Sequence, residues 1–161
     1  MALCSAEVVR FAGGWLFDQV MAGWDVTVLS ADNADPRPLA ILGVRIVDLE
    51  TMLARPVSGS CLQAIAVHAD LYDADARVRQ MVGEALRGGQ TDVRLWGEGS
   101  SGDFDAAGGP VRHRLSVAAR AFKAQALAAA AVPADPREIT EVFRKGEIRR
   151  LSPLPVAMSR R

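Results

Sequence analysis

Gly23-Trp24-Asp25-Val26-Thr27-Val28-Leu29-Ser30 is followed by an acidic stretch to Asp35, then by Pro36-Arg37-Pro38-Leu39-Ala40-Ile41-Leu42, then by Gly43-Val44-Arg45-Ile46-Val47. The β-branched run after the Gly-Trp turn predicts a strand over 25–30. Asp35 as N-cap and Pro36 in the first turn predict a short helix over 36–42, with Gly43 as its stop. Val44 to Val47 predicts a second strand, followed by a short helical segment near 48–54. Strand, helix, strand in close succession is the unit from which parallel sheets are built, and it sets the expected class.

Upstream, Val8, Phe11, Ala12, Trp15, Leu16, Val20 and Met21 recur at spacings of three and four, the signature of an amphipathic helix over 5–23. Ser5 is its candidate N-cap and Gly23 its stop. Gly13-Gly14 weakens that reading by roughly 1 kcal/mol per glycine against alanine. A second parse therefore stands beside it: a strand at 7–11, a glycine turn, and a short helix at 15–23. In that parse the glycine amides could approach an anion.

Downstream, Pro56 to Ser60 is a connector, and Leu62 to His68 has strand character through Ile65 and Val67. Asp73 or Asp75 caps a helix over roughly 74–87, with Val78, Met81, Val82, Ala85 and Leu86 inward and Gly88-Gly89 as its end. Asp92 to Trp96 is the next strand, and 97–110 is a Gly/Ser/Asp loop. Val111, Leu115, Ala118, Phe122 and Ala126, at steps of four, three, four and four, predict a long helix over 111–131 closed by Pro133. A final short helix is expected over 136–144, capped by Asp135.

The order α-β-α-β-(α)-β-α-β-α predicts an α/β fold, a three-layer sandwich around a mostly parallel sheet of about four to five strands. The Gly-Trp-Asp-Val-Thr-Val-Leu strand with its Asp-Pro-Arg-Pro-Leu helix is similar to Rossmann-like or flavodoxin-like modules. That resemblance implies a fold and no particular activity. A single domain is expected over 1–151, with 112–151 as its basic helical part and 152–161 as a loosely ordered tail.

At 161 residues, 50% hydrophobic and 24% charged, the chain has ordinary globular composition and needs no disulfide or metal to hold a core. Nineteen basic residues balance nineteen acidic ones. Arginine far outnumbers lysine, the bias of a GC-rich bacterial genome. Cys4 and Cys61 form no CxxC pair and read as reduced thiols. The N-terminus lacks the basic and apolar regions of a signal peptide, and no stretch approaches eighteen uninterrupted apolar residues. A cytoplasmic protein with no membrane partner is expected.

Gly97-Glu98-Gly99-Ser100-Ser101-Gly102 matches G-x-G-x-x-G after a predicted strand. However, Asp103, Phe104, Asp105 and a further Gly-Gly-Pro follow where a helix must begin, and three carboxylates would repel a phosphate. It reads as a surface loop. There is no G-x-S-x-G, H-E-x-x-H, P-loop or zinc-ligand pattern, so no metal site is expected and the identity of any cofactor stays open. Trp15, Trp24 and Trp96 fall in or beside predicted elements, where core or subunit contacts are the default.

In parallel sheets ligands bind beyond the carboxyl ends of the strands. This singles out Ser30, Asp32, His68 and Asp70 as candidate ligand-binding residues. His68 and Asp70 have the spacing of one strand face and could form an acid/base couple. The competing reading, and the favoured one, has His68 ending a strand and satisfied locally while Asp70 or Asp73 begins a helix.

Charge is unevenly distributed. Residues 1–111 hold eight Arg against fifteen Asp or Glu, and 112–161 hold eleven Arg or Lys against four Asp or Glu. Arg112, Arg120, Lys123, Arg149 and Arg150 are therefore the candidate anion-binding set. They would meet phosphates or, as favoured here, the acidic half of the chain or of a second subunit. The expected function is that of a non-catalytic module acting through protein contacts or through a sensed small ligand, with a homo-oligomer or another protein as partner. A nucleotide- or phosphometabolite-binding enzyme and a nucleic-acid-associated protein are the alternatives, and the sequence alone does not decide whether the chain is an enzyme.

Overall fold

A computed structural model describes residues 4–31, 35–54, 63–97 and 110–146. Among these lie six helices and six strands: α1 (Ser5–Met21), β1 (Thr27–Ser30), α2 (Arg37–Ile41), β2 (Arg45–Asp48), α3 (Leu49–Leu53), β3 (Ala64–His68), α4 (Ala69–Ala74), α5 (Ala76–Gly88), β4 (Asp92–Trp96), β5 (Pro110–Arg114), α6 (Val117–Ala129) and β6 (Thr140–Lys145). The fold is mixed α/β. No helix among the described residues is long and apolar enough to cross a membrane.

The β1-α2-β2 unit forms, with Pro36 rather than the expected Asp35 as the N-cap of α2. Thr27 to Ser30 pair in parallel with Arg45 to Asp48. Between them α2 buries Leu39 completely, and Leu42 just after it is equally buried. Each such leucine contributes about 1.5–3 kcal/mol. Asp48 ends β2 and starts α3, its carboxylate accepting from the Thr51 amide at 2.8 Å.

The single-helix parse of the N-terminus is the one observed, since α1 runs unbroken through Gly13-Gly14. Its N-cap is Cys4 rather than Ser5, and Cys4 gives no side-chain cap bond. Asp75 caps α5 through the Arg77 amide at 2.8 Å. The short α4 precedes it as a separate helix, with His68 itself as its N-cap.

Two expected helices are corrected. The long helix expected over 111–131 is β5 followed by α6, which begins only after Ser116, whose Oγ accepts from the Ala119 amide at 3.0 Å. Val111-Arg112-His113-Arg114 alternates half-buried with exposed positions, the two-residue period of a strand. The steps of four from Val111 and Leu115 had imitated a helix. The short helix expected over 136–144 is replaced by β6, with Glu141 and Phe143 inward and Val142 outward. Over its described residues the basic C-terminal part is thus strand, helix, strand rather than helical.

These two strands also change the sheet. β1 and β2 form one parallel pair, and a second sheet has the order β3-β4-β6-β5. In it β3 and β4 are parallel, while β6 is antiparallel to both β4 and β5. The expected mostly parallel sheet is therefore a mixed one. The physical cause is that β6 returns from α6 between two strands that run the other way.

Helices cover both faces of β3 and β4. Val67, Val93 and Leu95 pack with Tyr72, Val78 and Val82 of α4 and α5. Trp96 and Phe143 pack on the other side with Trp15 of α1 and Leu127 of α6.

Candidate functional site

The carboxyl ends of the strands come first, because the sequence places candidates there. Ser30 is fully buried and stands opposite Asp48 across β1 and β2. His68 is buried at the end of β3, opposite Trp96, with its ring edge-on to the indole at 4.5 Å. Its Nδ1 accepts from the Asp70 amide at 3.2 Å, which leaves the ring proton to Nε2 in the neutral form. The Asp70 carboxylate lies 3.9 Å from Nδ1, too far for a hydrogen bond, and is 62% exposed. His68 and Asp70 thus form the start of α4, the local arrangement favoured on sequence grounds. Gly97 closes this end: it has φ +91°, and a Cβ there would lie 2.8 Å from His68 Nε2. Asp32 lies outside the described residues.

Of the proposed anion-binding residues, three lie among the described residues, and Arg120 and Lys123 sit near each other on α6. Arg112 is exposed on β5. Arg120 donates to the Pro136 carbonyl at 3.3 Å on α6. Lys123 is 3% exposed, and its ammonium lies 2.7 Å from Glu141 Oε1 and 3.0 Å from Glu138 Oε2. Arg149 and Arg150 lie outside the described residues.

Lys123 leads to a residue that sequence reasoning missed. Glu141 is 2% exposed, and besides Lys123 it accepts from two backbone amides of α1, Gly14 to Oε1 at 2.9 Å and Trp15 to Oε2 at 2.8 Å. Burial pushes its carboxyl above the ordinary glutamate range, against the pull of the Lys123 ammonium and the two amides. The Gly13-Gly14 pair had suggested an anion near these amides. The anion here is the chain's own side chain, 127 residues from Gly14. A related tie joins β5 to α1: Asp18 Oδ2 lies 2.8 Å from His113 Nε2 and accepts from the Ser116 amide at 3.2 Å.

An open cleft lies elsewhere. It has a volume of about 820 Å³ and runs between β1 and β3, where the two sheets meet without a shared backbone ladder. The inner part of α1 walls it with Val8, Ala12, Trp15 and Leu16, and Met52 and Met81 close the opposite side. All three tryptophans line it. Its polar residues, Gln19, Asp25, Thr27, Arg45 and Gln63, come from α1 and the amino-terminal ends of the strands. Ser30, His68 and Asp70 are not among its walls. Trp15 is fixed from behind by Phe143, with ring centroids 5.3 Å apart, and by the Arg94 guanidinium 5.1 Å from its ring. Sequence periodicity marks Trp15 and Leu16 as core residues, and nothing in it announces that the sheet divides beside them.

Among the described residues no group of three or more His, Cys, Asp or Glu is placed to hold a metal ion. No known family, curated protein or solved structure matches the chain.

Proposed function

We propose that the chain is a non-catalytic α/β module that binds a small, largely apolar molecule in the cleft between β1 and β3. The observation that carries this reading is the cleft itself. Its volume of about 820 Å³ lies within the range of small-molecule sites, and apolar and aromatic walls with a few polar groups are their usual chemistry. The Rossmann-like or flavodoxin-like three-layer arrangement belongs to the same proposal, supported by helices on both faces of β3 and β4. In it the ligand enters from the amino ends of the strands. The reading is non-catalytic because His68, Lys123 and Glu141 are engaged in a cap and an internal pair away from the cleft, and the exposed Asp70 carboxylate does not line it either.

Titration with the apolar dye N-phenyl-1-naphthylamine tests it, followed by dye emission and by quenching of the three tryptophans. Saturable one-to-one binding is expected. Ala64→Trp places a large side chain at a lining position and should abolish binding; Ala66→Phe serves the same purpose if circular dichroism shows the first variant unfolded. Absence of binding, or binding unaffected by a folded cleft-filling variant, would overturn the reading.

A further inference from the structure

The cleft's interior and rim differ in chemistry. Trp15, Leu16, Val28 and Ile65 give an apolar interior, whereas Asp25, Thr27, Arg45 and Gln63 line it as exposed residues. The charged groups at this rim are Asp25 and Arg45, and they form an ion pair with each other, their side chains 77% and 66% exposed. No other charged residue lines the cleft among the described residues. A charge carried into the interior would lose water without a counter-charge, and one held at the rim would meet Asp25 and Arg45 already paired with each other, which disfavours ionic molecules. Gln63 and half-buried Gln19 can donate and accept hydrogen bonds, as can the Thr27 hydroxyl.

We infer that the cleft selects uncharged amphipathic molecules, with an apolar body against the tryptophans and a single hydrogen-bonding end, an alcohol or amide, at the rim. This rests on the ligand-binding reading above and names its ligand class. The Asp25–Arg45 pair sets the selectivity: with Asp25 in place the Arg45 guanidinium already donates to a carboxylate, and without it that group is open to an anionic end.

The full chain should be titrated below micellar concentrations with 1-dodecanol, dodecanoate and dodecyltrimethylammonium, following tryptophan emission. Dodecanol is expected to bind at least tenfold more tightly than either ion. In Asp25→Asn, a change at an exposed position, dodecanoate should gain at least threefold while dodecanol is unchanged. Dodecanoate binding as tightly as dodecanol to the unmodified chain would overturn the inference and leave the cleft reading standing. An unchanged dodecanoate affinity in Asp25→Asn would overturn the role given to the ion pair. Failure of all three ligands and of the naphthylamine dye to bind would overturn the cleft reading itself.

Discussion

Gly14 and Glu141 are joined by a hydrogen bond of 2.9 Å from a mid-helix amide to a buried carboxylate. A helix-interior amide ordinarily has the carbonyl four residues earlier as its acceptor. Here the adjacent Trp15 amide makes the same kind of bond to the other carboxylate oxygen. The close approach depends on glycine. A Cβ on Gly14 would lie 2.3 Å from Leu115 Cδ2. Gly14→Ala should therefore destabilise the fold by about 1–3 kcal/mol of overpacking, less the roughly 1 kcal/mol that alanine adds to a helix. In a Leu115→Ala background the clash is gone, and the same substitution should become stabilising. Urea unfolding of the four proteins checks this. An additive cycle with no change of sign would show that Leu115 is not what Gly14 accommodates.

The pairing of Glu141 with Lys123 makes a second prediction. Both side chains are almost fully buried, so removing one partner strands the other's charge. Lys123→Met should cost about 3–5 kcal/mol. Lys123→Met combined with Glu141→Leu removes both charges and should cost markedly less than the sum of the single changes, although the Gly14 and Trp15 amides then lose their carboxylate. Guanidinium unfolding midpoints measure both. Equal costs for the double variant and the summed singles would mean that the pair acts as two independent residues.

The acid limb of stability should contain two opposed contributions. Glu141 titrates above its ordinary value in the folded state, so the folded chain holds this proton more tightly than the unfolded one. Its contribution is fully present below the ordinary value of 4.5 and is lost as pH rises through the folded pKa. Asp18 behaves in the opposite way. Burial raises its carboxyl, but hydrogen bonds from Ser116 and His113 outweigh that and leave it below 3.8. Its contribution is present above 3.8 and is lost as pH falls through the lowered folded value. Glu141→Gln should flatten the decline above pH 4.5, and Asp18→Asn should flatten the decline below pH 3.8. Denaturant unfolding across pH 2.5–7, a range of roughly this span being set by reference carboxylate pKa values, separates them. The two variants changing the same limb would contradict this assignment.

How far the sequence revealed these features depended on where each residue's reason for being there lies. Between Val26 and Val47 the reasons are local: β-branched strands, a proline-started helix and Gly43 as a stop, with Leu39 and Leu42 supplying the buried face. Asp75 was legible for the same reason, since a cap needs only its neighbours, and so was His68 as a strand end, although its role as the cap of α4 was not. β6 was not legible. In Thr140-Glu141-Val142-Phe143 the carboxylate points inward and Val142 is 47% exposed, which inverts the usual alternation. Only Lys123 and the amides of Gly14 and Trp15, all distant in sequence, explain an inward Glu141. The cleft is further removed still, because it arises from the spacing of two sheets rather than from any residue pattern.

His68 and Gly97 support the last prediction. If His68 serves as the cap of α4, His68→Ala should cost about 1 kcal/mol, and His68→Asn should restore part of it, because an asparagine oxygen can accept from the Asp70 amide. Gly97→Ala should cost more than His68→Ala. Its φ of +91° is unfavourable for an L residue, and its Cβ would sit 2.8 Å from Nε2 of an imidazole held against Trp96. The strain has two sources that the double variant separates: His68→Ala removes the contact and leaves the backbone conformation. Gly97→Ala should therefore remain destabilising, by a smaller amount, in the His68→Ala background. Thermal unfolding of the four proteins reads this directly. Because neither residue lines the cleft, dye affinity in each folded variant should equal that of the unmodified chain. Weakened dye binding in His68→Asn would instead connect the strand ends to the ligand and return His68 to the site.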